Sequence, residues 1–143
     1  MSGQVCFEDF SVGDRVRTPA RTITEADIAV FAALAGDAGG SVVPGLHALS
    51  LSVGLMFLAG ERGIPRSTIA LWGLDRVRFT APARAGDTVQ VDAEVTQTTQ
   101  VDATRGLIAM TQRMTNQRGE EVLTYTSKIL AGRRPPAEGA THG

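Results

Sequence analysis

Between Gly45 and Glu61 the chain offers no solvated helical face. Leu46, Leu49, Leu51, Val53, Leu55, Met56, Phe57 and Leu58 are spread around the whole circumference of a helix about 25 Å long at ~1.5 Å per residue. A helix apolar on every side has to be wrapped by other elements, and this one requirement limits the folds open to the chain. It begins at Gly45 and is ended by Glu61-Arg62-Gly63 and Pro65.

The wrapping material follows it. Downstream the apolar pattern changes to period two. Ile69 to Phe79 reads as a strand, and Val89, Val91, Ala93 and Val95 alternate with Gln90, Asp92 and Glu94 in a half-buried one. Leu107–Thr115 and Val122–Leu130 form two more, joined by Asn116-Gln117-Arg118-Gly119-Glu120, where glycine can take a positive φ. Upstream, Phe7 to Ile23 reads as an extended arm with a Val12-Gly13-Asp14 turn. Thr24-Glu25-Ala26-Asp27 then starts a helix whose apolar positions Ile28, Phe31, Ala32, Leu34 and Ala35 share a face, and which stops at Gly36. One buried helix followed by an antiparallel meander is an α+β, helix-on-sheet arrangement. Residues 1–132 read as a single domain and 133–143, polar and proline-bearing, as a flexible tail.

At 143 residues the chain suits one domain with a real core. With 43% apolar and 20% charged residues it resembles ordinary globular proteins. A net charge of −1 with interspersed signs gives no footprint for nucleic acid or a membrane surface. The single cysteine, Cys6, allows no internal disulfide and suits a reducing cytoplasm. The opening MSGQVCFEDF reads as no signal peptide, and the Leu46–Ala59 apolar stretch is shorter than the ~20 residues of a membrane span. Two distant histidines without paired cysteines offer no metal ligand set, and no cofactor is expected.

Several strings occur in an order that resembles the MaoC-like (R)-specific enoyl-CoA hydratases. They are FEDF-x-VGD, T-x-x-D at the first helix start, F-A-x-L-A-G-D ending at Asp37, V-V-x-G-L at the central helix, and R-F-T-A-P-A-R-A-G-D-T-V from Arg78. The resemblance covers nearly the whole chain and implies a hotdog fold, an antiparallel sheet wrapped around the central helix. It also implies an acyl-CoA or acyl-carrier-protein thioester as substrate, and a homodimer or a heterodimer with a catalytic hotdog subunit. The family signature G-D-x-N-P-x-H is only half present. Gly36-Asp37 stands, but Ala38-Gly39-Gly40-Ser41 follows in place of the N-P-x-H segment.

Hydrating an enoyl thioester needs a base for water, an acid for the α-carbon and donors for the enolate oxygen. By resemblance Asp37 matches the catalytic carboxylate, although an aspartate after glycine also makes an ordinary turn. Gly45, with the N–H of Leu46, matches the donors that hold the thioester oxygen; glycine there also lets the chain turn tightly into the helix. The family's histidine before that glycine is replaced by Pro44. His47 follows two residues on, in line with Ser50 and Gly54 at helical spacing, and is open both to a catalytic and to a pocket-lining role. At a helix N-terminus its imidazole would stay neutral. His142 lies in the tail, and Glu61 sits at the wrong end of the helix for a thioesterase acid. Arg76, Arg78 and Arg84 offer cations to phosphates or simply a solvent face. Trp72 and Tyr125 suit core packing, with an acyl tunnel as the alternative.

Loss of one general acid–base group costs about 10²–10⁴-fold, so the gap after Asp37 argues against an efficient hydratase. Natural loss of the segment, its excision, and retained chemistry using Asp37 with His47 all fit. Two function classes remain: an (R)-specific enoyl-thioester hydratase or dehydratase, and a non-catalytic hotdog subunit that binds an acyl thioester. A hotdog thioesterase is a weaker third.

Overall fold

Strict alternation along residues 88–100 builds the centre of the sheet. In the computed structural model, which describes residues 4–36 and 42–136, β6 (Thr88–Gln100) buries Val89, Val91, Ala93 and Val95 on one face. Next to it lies β7 (Arg105–Thr115) and beyond that β8 (Glu121–Gly132), which turn Ile108, Met110, Met114, Leu123, Tyr125 and Ile129 to the same side. The antiparallel order is β1 (Arg15–Arg17), β6, β7, β8, β4 (Thr68–Phe79). A two-residue β2 (Arg21–Thr22) also pairs with β6, and β3 (Val42–Val43) pairs with β5 (Ala83–Arg84) apart from the main sheet. Gly119, at φ 77°, turns the hairpin between β7 and β8.

Helix α1 (Glu25–Ala35) opens with a reciprocal cap. Thr24 Oγ1 accepts from Asp27 N–H at 3.1 Å, and Asp27 Oδ2 accepts from Thr24 N–H at 3.0 Å. Gly36 closes it at φ 76°. Helix α2 (Gly45–Leu58) lies on the concave face of the sheet and sinks Ala48, Leu55 and Met56 into the core. Ser52 joins them, bonded to the Tyr125 hydroxyl at 2.6 Å. The expected hotdog arrangement is therefore what these residues form.

Three details differ from the sequence reading. Helix α2 stops at Leu58, short of Glu61, because Gly60 takes φ 85° and breaks the helical path. Nor is it covered on all sides: Leu46, Phe57 and Leu58 are each more than 60% exposed. One sheet can bury only one flank of a helix, and the α1 side is splayed. Ile28 anchors α1 in the core, whereas Val30 and Leu34 remain 68% and 83% exposed. Finally, Trp72 is not a core residue. It stands 63% exposed on β4, the outer strand of the sheet, beside exposed Ile69 and Leu71.

The N-terminal arm is shorter in strand than expected, with a 3-10 turn at Phe7–Asp9 before β1. Arg133 and Arg134 bond Glu8 and Asp9, and Arg133 also donates to Asp102 O at 2.7 Å.

Candidate functional site

The β3–β5 pairing fixes the approach to α2, and Pro44 takes the N-cap at φ −58°, ψ 149°. Proline has no side-chain acceptor to offer, so no side-chain cap forms. The first helical bond runs from Ala48 N–H to Pro44 O at 3.0 Å. The N–H groups of Gly45, Leu46 and His47 thus precede the first intrahelical donor, Ala48 N–H, with the positive end of the helix dipole behind them. A β-carbon on Gly45 would stand 3.0 Å from the Phe79 ring, so glycine is needed to let that ring lie against the helix entry. Together with Val43, Ala48, Ala81 and Val122 they line a hollow of about 240 Å³.

His47 lies on the other flank, since two residues turn a helix through ~200°. It is only 6% exposed, and its ring stacks flat on Phe31 with centroids 4.6 Å apart and planes 3° from parallel. Among the described residues its Nδ1 is buried without a hydrogen-bond partner. Burial pushes the imidazole pKa below its ordinary value; Asp27 raises it and Arg21 lowers it further. Asp27 is itself held low, mainly by the Thr24 backbone donor, and is paired with Arg21 at 2.7 Å. His47 and Ser50 line a groove of about 360 Å³ between α1 and α2. The Ser50 hydroxyl donates to Leu46 O at 3.0 Å and so is turned back on its own helix.

The structure therefore brings His47 and Ser50 to one groove and sets the Gly45 entry on the opposite flank. Asp37 and His142 lie outside the described residues. Tyr125 is buried, and Arg76, Arg78 and Arg84 are exposed. Glu61 accepts from Arg66, well away from the helix start. Phe31 and Phe79 flank the two sides of the α2 start, and neither contact carried a sequence signal, since each ring meets its partner from a different element. A further hollow of about 370 Å³ beside Phe10 is rimmed by Asp14, Arg15 and Arg62. Among the described residues no three metal-ligating side chains cluster, and no helix is long and apolar enough to cross a membrane.

A curled antiparallel sheet holding one central helix, whose uncapped start opens to a hollow, defines a hotdog protein. Residues 38–117, more than half of the chain, match the MaoC like domain, and the chain belongs to that family. The match begins directly after Asp37. Protein MaoC of Klebsiella aerogenes is 39% identical over 100 residues, which take in 59% of this chain and 29% of that protein. The chain thus spans well under two thirds of that relative.

Two solved structures share the fold across both chains. The monoamine oxidase regulatory protein from Archaeoglobus fulgius superposes with a TM-score of 0.82 at 29% identity, covering 92% of this chain and 97% of that one. The MaoC-like dehydratase from Rhodospirillum rubrum gives 0.77 at 26% identity, covering 92% and 99%.

Proposed function

We propose that this chain binds an enoyl or 3-hydroxyacyl thioester, on coenzyme A or a carrier protein, and slowly interconverts the two with (R) stereochemistry. The observation that carries this reading is the start of α2 within a MaoC like domain, where no side chain caps the helix and the Gly45 and Leu46 N–H groups meet no acceptor among the described residues. Those donors are suited to the thioester oxygen, on which negative charge grows as the enolate forms. Asp37 is the carboxylate assigned to water, and His47 with Ser50 are assigned to the substrate pocket. The reaction needs no cofactor, and the setting we assign is the cytoplasm.

A second reading is a non-catalytic hotdog subunit that holds the thioester without turning it over. It is favoured by the His47 geometry, because the one imidazole among the described residues is buried against Phe31, on the flank of α2 away from Gly45. Loss of crotonyl-CoA absorbance on adding the purified protein separates the two. Measurable hydration that falls in Asp37→Asn supports the enzyme; binding of crotonyl-CoA without turnover supports the subunit.

The partner we assign is a second copy of the chain, or a related hotdog subunit, joined through β4. That strand ends the sheet and carries exposed Ile69, Leu71 and Trp72, an apolar edge that a lone soluble domain would have to protect. Light scattering that gives a monomer mass at every concentration, with no second subunit recovered, would remove this assignment.

A further inference from the structure

Among the described residues, helix α1 is held to the rest of the molecule by side chains alone. No backbone hydrogen bond joins it to another element; those at its two ends, Ile28 N–H to Thr24 O and Gly36 N–H to Ala32 O, close on the helix itself. The fixed point lies just before it. Ile23 is fully buried, accepts from Gly86 N–H at 2.7 Å and donates to Asp87 O at 2.8 Å. From Thr24 onward α1 is attached by Ile28 in the core, by the Phe31–His47 stack and by the Asp27–Arg21 ion pair. At the other end Gly36, with a φ of 76°, takes the chain off the helical path. Eleven residues are fewer than the ~12–15 an isolated helix needs, so α1 is helical only while it is docked.

The ring stack is an attachment that depends on charge. A proton on His47 would make both ring nitrogens charged donors, and among the described residues Nδ1 faces no acceptor. Two charged groups among the described residues act on the ring: Asp27 on α1 favours the proton, and Arg21 on β2 opposes it. They are paired with each other, which blunts both. The face of Phe31 would also attract a cation. Burial outweighs these attractions and pushes the imidazole pKa down. Lifting α1 takes the Phe31 ring away and lets water solvate the imidazolium. We infer that α1 is an acid-released flap, docked on α2 while His47 is neutral and freed between Ile23 and Gly36 when His47 takes up a proton. The sheet and α2 stay folded, and release bares the flank of α2 that carries His47 and Leu51. The released imidazole titrates near 6.5 and the docked one lower, so docking is complete above about pH 6.5 and weakens as pH falls. The flap is independent of the thioester reading.

Hydrogen exchange of the full chain, read by mass spectrometry as protection factors at about pH 7 and about pH 5, tests it. Protection across residues 25–35 should fall about three- to twentyfold between the two, the upper bound being set by a released imidazole that titrates near 6.5. Over the same range β6, β7 and β8 should keep theirs. His47→Phe, which retains a ring for Phe31, should hold the α1 protection equal at both pH values. The wild type also gives a reading that needs no variant: the ring-proton resonances of His47 should titrate with a midpoint below 6.5, and α1 protection should fall over that same transition. Equal α1 protection at the two pH values overturns the flap, as does loss of α1 and sheet protection together. So does a pH dependence that survives in His47→Phe, or a His47 midpoint at or above 6.5.

Discussion

The hydroxyl of Tyr125 on β8 and that of Ser52 on α2 lie 2.6 Å apart in the core, the one side-chain hydrogen bond found between the central helix and the sheet among the described residues. Both groups are almost fully buried, so neither has water as an alternative partner. Removing one should cost about 1–3 kcal/mol, because the other is stranded. Removing both in Ser52→Ala/Tyr125→Phe should cost less than the sum of the single changes. Urea unfolding of the four proteins checks this, and simple additivity would show that the bond holds nothing.

The chain has a single tyrosine, so its ionisation can be followed without assignment. Burial raises the Tyr125 pKa to about 12, against the partial relief given by Ser52. The neutral form is thus favoured by the fold. Stability from this source is complete below about pH 10, where the unfolded phenol titrates, and is lost as pH rises towards the folded value. Tyrosinate absorbance should show a midpoint near pH 12 when folded and near 10 in denaturant. A folded midpoint near 10 would mean that the hydroxyl is wet.

His47 works in the opposite sense. Its pKa is depressed by burial, so the unfolded chain takes up a proton that the folded chain refuses. Stability is therefore full above the unfolded imidazole value of about 6.5 and declines as pH falls below it. The urea midpoint of the wild type should drop between about pH 7 and pH 5 more than that of His47→Phe. Equal drops would place the acid sensitivity in the carboxylates.

Gly106 on β7 lies directly under the Phe7 ring, and a β-carbon there would overlap its atoms. Gly106→Ala should destabilise the protein by about 1–3 kcal/mol through displacement of that ring. Phe7→Ala should absorb most of the effect of the added methyl, so the double variant should be no less stable than Phe7→Ala alone. Thermal unfolding of the three variants decides it.

Trp72 is the only tryptophan and stands on the open edge strand. If two copies meet along β4, its emission should move to shorter wavelength as protein concentration rises. Leu71→Arg, which places a charge on that edge, should hold the emission at its dilute, water-exposed position. A spectrum independent of concentration from nanomolar to high micromolar would rule out Trp72 as part of a reversible interface.

The four long strands, β4, β6, β7 and β8, and both helices were readable because each is written in a local period. Val89, Val91, Ala93 and Val95 specify their face without reference to anything distant. The exposed flank of α2 was not readable. Leu46 and Phe57 look like core residues in any window, and only the sheet's single concave face decides that they stay outside. Of the candidate site, the sharing of one groove by His47, Ser50 and Gly54 follows from helical spacing and was legible. The Phe31 stack was not, since the two rings belong to different helices. Nor was the separation of Gly45 from the His47 side chain, which is legible only once helix phase is set against the neighbours that occupy each flank.

The ties from Arg133 and Arg134 to Glu8 and Asp9 bring the polypeptide back to where it entered. A unit whose entry and exit are adjacent can be spliced into a longer polypeptide with little strain, or rejoined end to end and opened elsewhere, for example at the Asn116–Glu120 loop. The same sequence could thus serve as an insertable cassette, and the related protein in which the matching region makes up 29% of the length is an arrangement that this geometry permits.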